Sequence, residues 1–184
     1  METPKRKIPD IKVEDGRIIF RNFQGKGNDY NKEGDRNFGV LLPDEIAKAA
    51  VADGWNVKYR PPREDGYEQP WISVKVKYGP YPPIINLITS RGKQKITEET
   101  VGQLDWAQIQ SVDLIIRAYP YPSIVDKKGN VIRQSGISAY LKSMYVTIRE
   151  DDLELKYADI PYIDDNDDIV QEVVDSTGEN IPFN

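Results

Sequence analysis

Basic and aromatic side chains are interleaved along much of this chain, and together they supply the chemistry that holds a single strand of nucleic acid. Cations pair with phosphates, and flat rings stack on bases at about 1–3 kcal/mol per base, whatever the base. The residues in this pattern are Arg21, Phe23, Lys26, Tyr30, Lys32, Arg36, Trp55, Lys58, Lys75, Lys77, Tyr78, Arg91, Lys93, Arg117, Tyr119 and Tyr121. Any one of them is ordinary in a β domain, so the prediction depends on the group.

The charge distribution supports the same interpretation. Residues 150–184 contain twelve Asp or Glu and one Lys, a net charge of −11. Subtracting these from the 30 acids and 25 bases of the whole chain leaves 18 acids and 24 bases, a net charge of +6, for residues 1–149. Because a run of acids with few aromatic residues does not fold alone, we predict a disordered acidic tail over residues 158–184.

The tail ends in an apolar group, Ile181, Pro182 and Phe183, which a solubilising segment does not require. Acids followed by a short apolar stretch are typical of a linear recognition motif. The acids steer the segment toward a basic patch, and the apolar side chains fill a pocket. We therefore predict that these three residues bind a partner protein.

Most enzyme chemistry is excluded by composition, because the chain has no Cys and no His. Thiol nucleophiles, imidazole bases, disulfides and the usual zinc ligands are therefore absent. Asp105 and Asp113 could in principle hold Mg²⁺, but their first interpretation is as helix caps and surface charges. We predict no catalytic residue, no metal site and no cofactor.

A glycine-rich stretch, Q-G-K-G-N-D-Y-N-K-E-G-D at residues 24–35, invites comparison with a phosphate-binding loop. It lacks the G-K-[ST] sequence, and it leads into a predicted strand instead of a helix. We expect either a cation-bearing finger at the rim of a groove or a plain hairpin turn.

The elements that must position these residues are mostly strands. Alternating or β-branched stretches predict strands at residues 17–23, 36–42, 55–60, 71–78, 84–90, 111–121 and 137–148. Cap signals predict short helices at residues 43–53 and near 97–103. Residues 91–95 are predicted to be a basic turn, and residues 126–136 a long hairpin tip.

This order of elements lacks a β-α-β rhythm, so the predicted fold class is all-β with two short helices. We predict an antiparallel, elaborated oligonucleotide-binding (OB) barrel, since closure removes the strand edges. An immunoglobulin-like sandwich fits the strand count nearly as well, although the helix at 43–53 is unusual there. The predicted organisation is a flexible arm at 1–16, the barrel at 17–157 and the acidic tail at 158–184.

Two parts of the sequence resemble known families. The ending E-N-I-P-F-N resembles the acidic tip, closing in D-I-P-F, with which bacterial single-stranded DNA-binding proteins recruit replication and repair enzymes. The segments Y-N-K-E-G-D-R-N-F-G-V-L-L, V-D-L-I-I-R-A-Y and A-Y-L-K-S-M-Y-V-T-I resemble small bacteriophage proteins that bind single-stranded DNA during replication. The resemblance implies an OB barrel without catalytic residues, and a tail that binds replication or recombination proteins.

We therefore expect a single-stranded DNA-binding protein of phage replication or recombination that holds phosphates with cations and stacks bases on rings. The chain has no apolar run that would span a bilayer and no signal-like stretch near Met1, so we expect it in the cytoplasm of the bacterial host. Homo-oligomer formation is left open. The main alternative is a phage inhibitor that mimics DNA with its acids, although a mimic must hold those acids on a rigid surface. A virion structural domain has only the fold in its favour.

Overall fold

The computed structural model describes residues 7–157, 159–161 and 163. Contacts divide the chain into two units, Met1–Glu150 and Asp151–Asn184. The first unit is mostly β, with one α-helix and one 3₁₀ turn, and the described part of the second contains a short helix. Most of the predicted tail, including Ile181, Pro182 and Phe183, lies outside the described residues.

Eleven strands, two α-helices and one 3₁₀ turn make up the described chain. The strands are β1 (Ile11–Gly16), β2 (Ile18–Asn22), β3 (Arg36–Leu41), β4 (Lys58–Tyr59), β5 (Pro70–Val76), β6 (Ile84–Thr89), β7 (Gly92–Ile96), β8 (Ile109–Tyr121), β9 (Ile124–Val125), β10 (Val131–Arg133) and β11 (Gly136–Ile148). The helices are α1 (Asp44–Asp53) and α2 (Asp152–Lys156), and the 3₁₀ turn spans Val101–Asp105. No helix among the described residues is long and apolar enough to cross a membrane.

Strand β11 is the centre of the sheet. The main path runs β1-β8-β11-β5-β3-β2, with β4 paired to β5 and the β6–β7 hairpin paired to β11. One edge of β11 pairs antiparallel with β8 along its whole length. Its other edge is shared: the first half runs parallel to β5, and the second half runs parallel to β6.

These parallel pairs correct the prediction of a purely antiparallel sheet. Parallel neighbours need a long connection between them, because the chain must return to the starting end before pairing again. The connections from β5 and β6 to β11 are long enough, since β7, the 3₁₀ turn and β8 lie between them. The other pairs in the sheet are antiparallel, as predicted.

The two ends of the sheet path are neighbours in the chain. Strands β1 and β2 are separated only by Arg17, whose carbonyl accepts a hydrogen bond from the Leu41 amide at 3.0 Å. Between Val13 and Gly16 the register with β8 shifts, and Asp15 takes a positive φ of 49°. The paired ladder of the described residues is an open path, so barrel closure is not part of it.

The core lies against one face of the sheet, as the predicted alternation requires. Ile72, Val74 and Val76 of β5 are buried there. Strands β8 and β11 bury their own alternate residues in the same cluster, and α1 adds Ala47 and Ala50. The predicted helix at 43–53 is confirmed within one residue.

The N-terminal arm predicted at residues 1–16 is wrong over Ile11–Gly16. These residues form β1, with Ile11 and Val13 buried against β8. The charges and the two prolines of residues 1–16 favoured an arm, but the alternation of Ile11 and Val13 with Lys12 and Glu14 is that of a strand with one buried face.

Other differences concern short polar segments. The predicted basic turn at 91–95 is mostly strand β7, whose first four residues are exposed at the edge of the sheet. The predicted hairpin tip contains β10, which pairs with β9 immediately before the tip. The predicted strand at 55–60 is reduced to β4, and the helical segment near 97–103 is a 3₁₀ turn beginning at Val101. Strand β7 is polar and has no apolar alternation, and β9 and β10 are only two and three residues long, which explains why the pattern missed them.

Candidate nucleic-acid interface

The face of β5, β8 and β11 that points away from the core carries aromatic rings beside cations. Tyr140 of β11 lies directly between Lys75 of β5 and Arg117 of β8 in the strand register. Tyr119 meets the Tyr140 ring edge to face, with centroids 5.7 Å apart and an angle of 89°. We call Lys75, Lys77, Arg117, Tyr119, Tyr121 and Tyr140 the tyrosine cluster.

Two lysines of the tyrosine cluster converge on one ring. The Lys77 Nζ atom lies 5.7 Å from the Tyr140 ring centroid, and the Lys75 Nζ atom lies 6.0 Å from it. An ammonium over a ring face is attracted by the negative charge of the π system, so each lysine is positioned beside the ring. The pair therefore presents a phosphate partner and a stacking surface at the same place.

Arginines repeat this arrangement at the end of the same face. The Arg117 guanidinium lies 5.5 Å from the centroid of Tyr81, an exposed ring in the connection after β5. Arg133 of β10 lies 4.6 Å from the centroid of Tyr121. The Tyr121 ring can lie across β11 because its neighbour there is Gly136, where a Cβ atom would be 2.7 Å from Tyr121 Cζ.

A second set of rings, which we call the tryptophan group, adjoins the cluster at β2, β3 and β5. Phe20 contacts Trp71 edge to face at 5.1 Å, and the Lys58 Nζ atom lies 5.1 Å from the Trp71 centroid. Phe20 is exposed and has a positive φ of 51°, a strained conformation for a bulky side chain. Gly39 leaves room beneath these rings, since a Cβ atom there would lie 2.9 Å from Trp71 Cε3.

The loop at residues 24–35 carries exposed groups of the same kinds. Tyr30 is 94% exposed, and Lys32 is exposed beside it. The Lys26 Nζ atom lies 5.7 Å from the centroid of Trp106, a ring that is 65% exposed just after the 3₁₀ turn. The predicted cation-bearing finger is thus an exposed loop with a further ring at its base.

The sequence comparison decides which class of protein carries these features. The family described as "Putative phage ssDNA-binding domain" matches residues 2–182, almost the whole chain. The chain belongs to this family. Membership confirms the resemblance to phage single-stranded DNA-binding proteins, and it places the chain among binding proteins and not among enzymes.

Solved structures of phage single-stranded DNA-binding proteins match this chain at low sequence identity. The single-stranded DNA-binding protein of bacteriophage Enc34 in complex with ssDNA is 15% identical, covers 80% of this chain and 97% of its own, and gives a TM-score of 0.49. Its C-terminal truncation is 14% identical over 77% and 87%, with a TM-score of 0.48. The protein gp2.5 of bacteriophage T7 is 11% identical over 86% and 96%, with a TM-score of 0.38. No curated protein sequence matches the chain.

The structure corrects the prediction for two of the stacking rings, Phe23 and Trp55. Phe23 is 0% exposed and stacks on Phe38 in the core with centroids 5.1 Å apart. Trp55 is 4% exposed and follows Gly54 at the end of α1. Neither ring can stack on a base, because both of its faces are already covered by protein.

Arg36 and Tyr78 are partly buried on the core side, away from the tyrosine cluster. The Arg36 Nε donates to the Phe23 carbonyl at 3.1 Å, and its guanidinium pairs with Glu98 at 3.3 Å and lies 5.5 Å from the Tyr78 ring centroid. Burial raises the pKa of the Tyr78 hydroxyl above its ordinary value. The Arg36 contacts connect the start of β3 to Phe23 and Glu98, and neither Arg36 nor Tyr78 belongs to the tyrosine cluster.

Arg21 is also committed to backbone contacts. Its guanidinium donates to the carbonyl oxygens of Leu104 and Ala107 at 2.9 and 2.8 Å. These bonds attach β2 to the 3₁₀ turn and its exit. A guanidinium has five N–H donors, so it retains others that can still meet a phosphate at this edge.

The two candidate Mg²⁺ carboxylates accept backbone hydrogen bonds. Asp105 accepts from the amides of Phe23 and Gln24 at 2.7 and 3.0 Å. Asp113 accepts from the Asp15 amide at 2.8 Å. No group of three or more acidic side chains converges anywhere in the part of the chain that the structure describes. Both residues therefore serve the fold, one fixing the start of the 24–35 loop and the other the bend in β1.

Two of the predicted cations lie on the β6–β7 hairpin and not in the tyrosine cluster. Arg91 is exposed at the turn, and Lys93 of β7 has its Nζ atom 5.8 Å from the centroid of Tyr145 on β11. Tyr145 was not among the predicted rings.

Sequence reasoning also missed residues on or beside the outer face, namely Phe20, Trp71, Tyr81, Arg133 and Tyr140, and it missed Trp106 at the base of the 24–35 loop. Strand parity was the available signal for two of them. Trp71 precedes the buried series that begins at Ile72, and Tyr140 lies between buried Ala139 and Leu141, so both must point outward.

Proposed function

We propose that the chain binds single-stranded DNA across the outer face of β3, β5, β8 and β11. Bases stack on Tyr140, Tyr119 and Trp71, and phosphates pair with cations of the tyrosine cluster and Lys58. The observation that carries the proposal is the placement of cations beside the rings of Trp71, Tyr140 and Tyr81 on the face opposite to the core. Ring and cation in one place satisfy both needs of a single strand.

Family membership supports this function, and the solved Enc34 relative is named as a complex with ssDNA. We further propose that β1 and β2 act as one bent strand that closes an OB barrel through Arg17. In such barrels, oligonucleotides bind over the second and third strands and the two flanking loops. Here those strands are β3 and β5, and the loops are residues 23–35 and 122–135.

We propose that the remaining predicted cations surround this DNA-binding face. Arg21, Lys26, Lys32, Arg91 and Lys93 extend the positive field around the face, together with the exposed Tyr30 ring. Their effect is electrostatic steering, which depends on ionic strength. The net charge of +6 over residues 1–149 supports this role.

The C-terminal residues have a separate proposed function. We propose that Ile181, Pro182 and Phe183 bind replication or recombination proteins, with the preceding acids steering the encounter. A fusion of residues 158–184 to an inert carrier should bind such a protein, and Phe183→Ala should abolish binding. Equal binding by the variant would exclude the apolar motif.

Direct binding of an oligothymidylate at several salt concentrations tests DNA binding. We expect tight binding at low salt that weakens steeply as salt rises, because phosphate contacts release counterions. Weaker binding to the matching duplex and RNA would define the preference. No binding at low salt, or binding that salt does not change, would contradict the proposal.

Deletion of the tail separates this function from DNA mimicry. A chain lacking residues 160–184 should bind DNA equally well or more tightly, because the deletion removes only repulsive charge. A mimic would lose its inhibitory activity with that deletion.

A further inference from the structure

A second ring–cation pair lies on the outer face of β11, beyond the tyrosine cluster. Tyr145 projects from the second half of β11, and Lys93 of β7 holds its Nζ atom 5.8 Å from the ring centroid. Lys95 lies on the same hairpin, opposite Asn86, which in turn pairs with Tyr145. We call Tyr145, Lys93 and Lys95 the hairpin cluster.

A β-bulge places both clusters on one face. Tyr140 and Tyr145 are five residues apart, so an uninterrupted strand would point them to opposite sides. The register with β8 shifts between Leu141 and Ser143, which leaves Lys142 as the extra residue. Beyond the bulge the buried positions change from Ala139 and Leu141 to Met144 and Val146, so Tyr145 faces outward like Tyr140.

The hairpin that carries the lysines is fixed to β11. Five consecutive residues of β6 pair with β11, from Ile84 opposite Ser143 to Ile88 opposite Thr147. At the hairpin turn, the Ser90 amide donates to both carboxylate oxygens of Glu150 at 3.1 Å. The backbone that carries both lysines is therefore fixed beside β11 before any ligand arrives, with Lys93 next to the Tyr145 ring.

The surface between the two clusters suits a polyanion with an apolar side. On β8, Arg117 lies opposite Tyr140 and Asp113 lies opposite Tyr145. These two residues are four positions apart, so the two tyrosines are separated by about 13 Å along the strand. Lys142 and the exposed Ile84 lie within this interval. Two acids lie beside this interval: Asp113 accepts a hydrogen bond from the Asp15 amide through one oxygen, and Asp10 pairs with Lys142 at 3.3 Å.

We propose that the hairpin cluster is a second subsite for the same single strand, which runs along β11 from Tyr140 to Tyr145. A base stacks on Tyr145, Lys93 and Lys95 pair with phosphates, and the strand displaces Asp10 from Lys142 as it passes. This inference rests on the proposed function, and it predicts a site that a short oligonucleotide cannot fill.

Binding by the full chain to a ladder of oligothymidylates tests the inference. Site sizes on OB folds run from about 4 to 16 nucleotides, so the ladder should extend from about 4 to about 24. The variants are Tyr145→Thr, which keeps a strand-forming residue, and Lys93→Gln. Lys48→Gln, at an exposed lysine of α1, is the matched charge control.

We expect Tyr145→Thr to weaken binding of long oligomers about 10-fold or more and to leave the shortest bound oligomer within about 2-fold of wild type. Lys93→Gln should reduce the salt slope for long oligomers by about 0.7. Lys48→Gln should change neither. Equal loss at all lengths, no loss with long oligomers, or the same slope change in Lys48→Gln would overturn the subsite.

The outcome also distinguishes this inference from the proposed function on which it rests. If the wild-type chain binds no oligomer of any length, the proposed function fails. If the wild-type chain binds and Tyr140→Ala weakens binding at every length while Tyr145→Thr has no effect, only the second subsite fails.

Discussion

The two faces of this sheet use the same aromatic residue types for different purposes. On the core face, Phe23 and Phe38 stack with interplanar angle 23°, and neither is accessible. On the outer face, Tyr119 and Tyr140 meet edge to face beside Lys75 of β5 and Lys77, which follows that strand. The role of a ring therefore depends on the face of the sheet to which it points. A neighbouring cation without an acidic partner marks the accessible face, because such a charge is costly to bury.

The largest expected effect is a loss of stability on the core side. Phe38→Ala removes a fully buried ring from the stack with Phe23, and it should lower the free energy of unfolding by about 3–5 kcal/mol. Urea denaturation measures this change. Oligothymidylate affinity of the folded fraction should stay unchanged, and an equally large loss of affinity would break the separation between the faces.

The second effect concerns binding on the outer side. Tyr140→Ala should weaken oligothymidylate binding by about 1–3 kcal/mol, because a stacking surface is lost. The free energy of unfolding should change by about 1 kcal/mol or less, since the ring is not part of the core. Tyr140→Phe keeps the ring and should bind like wild type. Loss of affinity in the Phe variant would point to the hydroxyl instead.

A smaller effect is expected from the lysines beside that ring. Lys75→Gln and Lys77→Gln should each reduce the slope of log affinity against log salt by about 0.7. Fluorescence titration at four or five salt concentrations measures the slope. Lys48→Gln on α1 is the control, and a slope that falls equally in the control would show that only net charge matters.

The smallest effect concerns the β9–β10 ribbon at the end of the outer face. The Asp126 carboxylate accepts from the Asn130 amide at 2.8 Å, from its side chain at 3.1 Å and from the Lys128 amide at 2.8 Å. These bonds, led by the Asn130 amide, lower the pKa of Asp126 below its ordinary value of 3.8. The ribbon is therefore stabilised above the unfolded-state pKa, and it loses this contribution as pH falls through the lower folded-state pKa.

Amide hydrogen exchange of Asn130 over the acid range measures the effect. In wild type, protection should fall as Asp126 is protonated. In Asp126→Asn, protection should be lower at neutral pH and independent of pH. Unchanged pH dependence in the variant would mean that another group controls the turn.

Where one face of a strand is regular, the sequence was sufficient to predict it. The alternation of β5 placed Ile72, Val74 and Val76 inward and Lys75 outward, and burial confirms the inward set. The same logic would have placed Trp71 with Lys75. Trp71 was missed because it was assigned to the predicted strand as an apolar residue and not to the group of rings beside cations.

Bulges explain what parity could not predict. Between Ile19 and Asn22, β2 has one residue more than the facing segment of β3. This extra residue turns Phe20 out to solvent and Phe23 into the core, the reverse of what uninterrupted alternation from Ile18 gives. The bulge at Lys142 does the same for Tyr145. A bulge depends on how a strand pairs with its partner, so it cannot be predicted from the sequence of one strand alone.

The central position of β11 has a consequence for how the chain is made. Among the described residues it is the last strand to leave the ribosome, yet β5, β6 and β8 all pair with it. Until residues 136–148 emerge, the nascent chain exposes strand edges and the apolar side chains that pack against β11, and the sheet depends on contacts between distant segments, which form slowly. The domain therefore assembles after synthesis, and a nascent chain that stops before Gly136 is prone to aggregate.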